Sequence, residues 1–214
     1  MKKRFFCMVL ACMMLFSLTS AHAVINNFFL RTRYGQLVPY ENLVFHYAIH
    51  VYSGFMMSSD EQLNARWDSM TFEEGEDMLY DFRYWLSPDR TYEFQVQVKE
   101  QTYDSFETEV QKAPDYISLM EEDMLALGYY NIRQLHEGIL RDTPEGKMLE
   151  TAYAFTVPVE GGGVDITVVY YDCYFEGVEY IFEMTAYNGD YETAQYLLNE
   201  MVQTVDIWSP AYAI

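Results

Sequence analysis

At Glu176-Gly177 two alternating runs meet, and this stretch does most to commit the chain to antiparallel β structure. Pairing Phe175 with Val178 across a two-residue turn sets Val169, Tyr171, Cys173 and Phe175 on one face with Val178, Tyr180, Phe182 and Met184. Side chains alternate along a strand, so a slip of one residue would turn the whole apolar set toward water. Turn length and apolar pattern agree here without adjustment, which predicts a hairpin.

A second hairpin is expected upstream. Tyr80, Phe82, Tyr84 and Leu86 alternate with Asp81, Arg83 and Trp85, and past Ser87-Pro88-Asp89 the apolar row resumes as Tyr92, Phe94, Val96 and Val98. For both even-numbered rows to share a face the loop needs an odd residue count, most simply three, with Leu86 opposite Arg90. That register puts Arg83, Trp85 and Glu93 together on the polar face. An aromatic flanked by charge can anchor a partner or stack on a sugar ring, so these three residues form the candidate partner-binding surface.

The remaining pattern fills in around the hairpins. Phe45, Tyr47, Ile49 and Val51 alternate with His46, Ala48 and His50 as a half-buried strand, and residues 58–77 read as loop with a short helix. Pro114-Asp115 opens a helix whose apolar side is Ile117, Met120, Met124 and Leu127, stopped by Gly128. Strands are expected over 131–141, 147–159, 164–175 and 178–187. Asp190 caps a last helix bearing Tyr191, Ala194, Leu198, Met201, Val202 and Val205 and ending near Trp208. Strands, helix, four strands and a terminal helix predict an α+β fold: a single twisted antiparallel β-sheet packed by two main helices in an α/β/α sandwich.

This order resembles the PsbP-like fold, shared by the photosystem-II extrinsic protein P, the Ran-binding Mog proteins and various small exported bacterial proteins. The resemblance runs from about Phe45 to Trp208 through the hairpin Tyr80 to Val98, the helix Asp115 to Leu127, the meander ending Val178-Glu179-Tyr180-Ile181-Phe182, and the closing helix. The long acidic stretch before Tyr80 departs from it. The resemblance implies a binding or assembly module, and no functional residue carries over from it.

The chain opens with Lys2-Lys3-Arg4, an apolar run from Phe5 to Leu18, and small residues in Ala21-His22-Ala23. That order is a secretory signal peptide cut after Ala23, with an apolar run too short to span a bilayer. The expected organisation is therefore signal peptide 1–23, N-terminal arm 24–42, a single domain 43–208 and a tail 209–214, working outside the cytoplasm. A formal charge of −20 leaves no basic surface for nucleic acid, and no stable membrane span is expected in the exported chain. Of three cysteines, Cys7 and Cys12 leave with the signal and Cys173 stays alone, so no intramolecular disulfide holds the fold. The core must do so, and 20 tyrosines and 14 phenylalanines supply it.

Several residue patterns suggest chemistry and do not carry it. His46 and His50 have a spacing that chelates zinc on a helix, but on a strand four residues span roughly 13 Å, too far to share an ion. Cys173 points into the core opposite Tyr180, where a thiol does not attack substrates. Glu73-Glu74-Gly75-Glu76-Asp77 and Glu121-Glu122-Asp123 read as solvated charge without a calcium-loop spacing, the first being where calcium would bind if anywhere. Gly161-Gly162-Gly163 joins two strands and is a turn. No cofactor or metal ligand set is therefore assigned. The expectation is an exported, non-catalytic binding or assembly module of the cell envelope or extracellular space, with a protein or glycan partner. The alternative is a secreted hydrolase acting on cell-wall or dietary polymers through a carboxylate pair, among 33 acids that single out none.

Overall fold

The computed structural model describes residues 29–69, 79–100 and 106–208. The signal peptide, its cleavage residue Ala23, the acidic run Glu73–Asp77 and the tail 209–214 lie outside them. In chain order the elements are helical residues 29–34 (α1), β1 (Leu37–Asn42), β2 (Tyr47–Tyr52), β3 (Met56–Met57), α2 (Asp60–Ser69), β4 (Leu79–Leu86) and β5 (Tyr92–Glu100). Then come α3 (Phe106–Lys112), a 3-10 turn (Ala113–Asp115), α4 (Tyr116–Ala126), β6 (Tyr130–Gln134), β7 (Ile139–Thr143), β8 (Gly146–Val159), β9 (Gly162–Phe175), β10 (Val178–Ala186), α5 (Tyr191–Val202) and β11 (Asp206–Ile207).

The fold is α+β with antiparallel pairing throughout, but the strands form two sheets rather than one. A large sheet runs β3-β4-β5-β10-β9-β8-β6, with β7 also pairing β8. A small sheet runs β1-β2-β11. The segment expected as an arm is integrated into the fold from residue 29: β1 pairs all along β2, and Tyr34 is fully buried.

The hairpin at Glu176-Gly177 has the register expected from its alternation, Phe175 opposite Val178 and Cys173 opposite Tyr180. Both turn residues have positive φ, 49° and 83°, as a two-residue turn matched to strand twist requires. Its apolar face joins Tyr92, Phe94, Val96 and Val98 of β5. Onto that face α5 lays Ala194, Leu197, Leu198, Met201 and Val202, and β2 lays Tyr47, Ile49 and Val51. Asp190 caps α5, its Oδ1 accepting the Thr193 N–H at 3.1 Å.

The β4–β5 register differs from the expected one. Leu86 pairs with Glu93, three residues beyond Arg90, because Arg90 adopts a left-handed φ of 55° and the Asp89 carboxylate bonds Ser87 and Thr91 inside a longer loop. An odd slip exchanges the faces of a strand. Trp85 therefore stands opposite Phe94 in the main core, while Phe82 and Tyr84 form a second small cluster with Leu63 of α2 on the other face.

Other elements depart less. The strand expected over 131–141 is two, β6 and β7, broken where Gly138 takes φ 91° against Ala113. The α4 helix ends at Gly128, φ 83°, with the Tyr129 N–H donating to Met124 O. Of its expected apolar side, Met124 is half-buried and Leu127 exposed; the side chains of Ile117 and Met120 lie outside the described set. Helix α3 has no counterpart among the sequence expectations.

Candidate binding site

The three residues expected to share a surface do not share one. Trp85 is 4 % exposed, its ring 4.9 Å from Tyr40 and 5.3 Å from Phe94. Arg83 lies on the same face, half-buried, with Nε 3.5 Å from Asp81 Oδ1. Glu93 is on the opposite face, buried, where Arg66 of α2 meets it at 2.5 Å and Tyr187 Oη at 3.0 Å. Arg66 also stacks over Phe82 and Tyr84, so Glu93 serves to hold α2 on the sheet.

The histidines are apart in role as well as position. The His46 ring stacks on Trp208 and the His50 N–H donates to Thr204 Oγ1 at 2.8 Å. Among the described residues no group of three metal-ligating side chains comes together. Glu121, Glu122 and Asp123 are exposed on α4. The Cys173 thiol is buried, and burial first, then Asp172, Glu145 and Glu179, pushes its pKa up. A thiol held protonated is a poor nucleophile.

A buried polar cluster centres on Glu150, which is fully buried. Its Oε2 accepts from Arg141 Nε at 2.5 Å and Tyr171 Oη at 2.8 Å, and its Oε1 from Tyr191 Oη at 3.3 Å. His136 accepts the Gly138 N–H on Nδ1 and turns Nε2 to within 3.3 Å of Oε1. Burial alone would raise the carboxyl; the close approach of His136 and the hydrogen bonds from Arg141 and Tyr171 outweigh it and hold the pKa at about 2. These contacts tie β7, β8, β9 and α5 together around one carboxylate.

A surface of a different kind lies at the end of the β9–β10 hairpin. Val44, Phe45, Val98, Phe175, Val178 and Tyr180 line an apolar recess of about 370 Å³, with Glu176 and His46 also at its edge. Its wall is the turn between β1 and β2, which is pinned at several points. Asn42 Oδ1 accepts the Val44 and Phe45 N–H groups at 3.1 Å, and Asn42 Nδ2 donates to Asp81 Oδ2 at 2.7 Å. Tyr180 Oη donates to Phe45 O at 2.9 Å, and the Trp208 N–H donates to His46 O at 3.0 Å. This rigid turn presents Leu43 and Val44 to solvent at 70 % and 75 % exposure. Sequence reasoning missed these residues, although Leu43-Val44-Phe45 interrupts the alternation with three apolar residues in a row.

Among solved structures, the cyanobacterial PsbP protein of Synechocystis matches with a TM-score of 0.50 at 12 % identity, over 80 % of this chain and 92 % of that one. The fold is PsbP-like. The Ran-binding protein Mog1p of Saccharomyces cerevisiae also matches, at 13 % identity over 80 % of this chain and 95 % of that one, TM-score 0.45. LpqN of Mycobacterium tuberculosis, involved in cell envelope biogenesis, matches at 7 % identity over 81 % and 91 %, TM-score 0.46. No protein-family profile and no curated protein matches the sequence. At such identities the likeness is one of fold alone.

Proposed function

We propose that the chain is an exported binding or assembly module that holds an apolar side chain of a partner protein in the recess between Val44 and Phe175. The observation that carries this reading is the recess itself. A pinned turn keeps two aliphatic side chains in water beside an apolar floor, and soluble surfaces spend such exposure at contact sites. We read α5 and the small sheet on one side of the large sheet, with α2, α3 and α4 on the other, as a helix–sheet–helix layering that leaves the strand ends for docking. Glu176 at the edge and a net charge of −20 favour a partner with cationic residues flanking the apolar anchor. Export rests on the basic head, the apolar run and the Ala21-His22-Ala23 close. The hydrolase reading has less support, because the acids Glu93 and Glu183, which share a sheet face, are 4 % and 6 % exposed.

A photo-crosslinking residue placed at Val44, with Leu127 as an equally exposed control, tests this in the producing cell. Discrete adducts at position 44, absent at 127 and lost on Phe175→Asp, are expected. No adduct at 44, or the same adducts at both positions, overturns the reading.

A further inference from the structure

At the far end of β9 from the recess, the pairing of β6 with β8 slips. Tyr130 opposes Thr156 and Arg133 opposes Ala154, so three steps on β6 match two on β8, and Asn131 between them adopts a left-handed φ of 55°. A bulge of this kind re-aims side chains and parts the strands. Here it opens a polar notch of about 200 Å³ whose lining includes Arg133, Thr156, Asp165, Thr167 and Gly189.

The floor is built from ordered polar groups. Asn131 Nδ2 donates to Thr156 Oγ1 at 3.2 Å, and Thr156 Oγ1 donates to Asp165 Oδ1 at 2.8 Å. Thr167, 1 % exposed, donates to Gly189 O at 3.2 Å, leaving its own lone pairs to accept. Gly189, at φ 70°, brings the backbone so near that a Cβ would stand 3.1 Å from the Asp165 Cβ. Arg133 and Asp165 line the same notch from different strands without forming an ion pair with each other. A guanidinium fork matches a carboxylate, and the second Asp165 oxygen with Thr167 Oγ1 matches a donor.

We infer that this notch binds a small carboxylate that also carries a hydroxyl or ammonium donor, the carboxylate on Arg133 and the donor on Asp165. Ten strand steps along β9 lead from Asp165 to Phe175, about 33 Å, so the site is independent of the recess.

Amide NMR spectra of the chain, titrated separately with glucuronate, alanine, acetate and glucose, test it. Saturable shifts at Asn131, Thr156, Thr167 and Gly189 with glucuronate or alanine are expected, at about millimolar affinity for ligands this small. Whichever of the two binds tells whether the donor is hydroxyl or ammonium. Acetate and glucose should bind about tenfold or more weakly, as should the preferred ligand to Arg133→Gln; Asp165→Asn should erase the preference over acetate. The inference falls if no probe gives saturable shifts, if acetate binds as well as the larger acids, or if Arg133→Gln changes nothing.

Discussion

Tyr171 stands directly across the strand pair from Glu150 and donates its hydroxyl to the buried carboxylate at 2.8 Å. Together with Arg141 this keeps Glu150 ionised far below its unfolded pKa of 4.5, at about 2. A depressed acid contributes stability above its unfolded pKa and loses it as pH falls through the folded one. Urea titrations should therefore show ~3 kcal/mol lost between pH about 4.5 and 2, a loss absent from Glu150→Gln. At neutral pH that variant should be less stable by up to ~3 kcal/mol, the part due to Arg141 being softened because its side chain is 36 % exposed and keeps water.

Glu183 runs the other way. Burial raises its pKa to about 7, against hydrogen bonds from Thr185 and Gln95 and with Glu93 adding to the rise. The folded chain then holds a proton that the unfolded chain has released, so stability falls as pH rises from about 4.5 to 7 and levels off above. Glu183→Gln should flatten that slope and raise stability at pH 8 by up to ~3 kcal/mol. An unchanged slope in the variant would assign the fall to another group.

Trp85→Ala should cost about 3–5 kcal/mol, as for a large aromatic removed from a packed core. If the residue stood on the surface the cost would be within about 0.5 kcal/mol. Chemical denaturation of the two proteins distinguishes these directly, and with them the β4–β5 register.

Cys173 should react slowly with a thiol reagent in the native chain and rapidly once unfolded. Cys173→Ala should lower stability by about 1–2 kcal/mol through lost packing and leave partner capture intact.

The contrast between the two hairpins shows what sequence could and could not convey. At Glu176-Gly177 the turn is two residues long and contains glycine, so loop and alternation lead to one register. At β4–β5 the register depends on Arg90 entering the left-handed region, and nothing about an arginine announces that. Both faces of β4 are also apolar enough to bury, so alternation alone could not choose between them. The recess was hidden for a related reason: Phe45 reads as the start of a strand, whereas the Asn42 side chain, with Tyr180 and Trp208, holds residues 43–46 as a turn. The notch depends on a bulge at Asn131, and a one-residue slip leaves no periodic trace.

The small sheet also fixes an order of events. The His50 N–H is satisfied by Thr204, 154 residues later, and β2 gains its second neighbour only when Asp206 and Ile207 arrive. A chain delivered from its N-terminus keeps that side of β2 unpaired until Asp206 and Ile207 have emerged, since the contact closes a loop of more than 150 residues. Truncation before Thr204 should therefore leave an open strand edge and an aggregating product rather than a slightly weakened domain. Asp206 and Ile207 act as the latch on the open edge of β2.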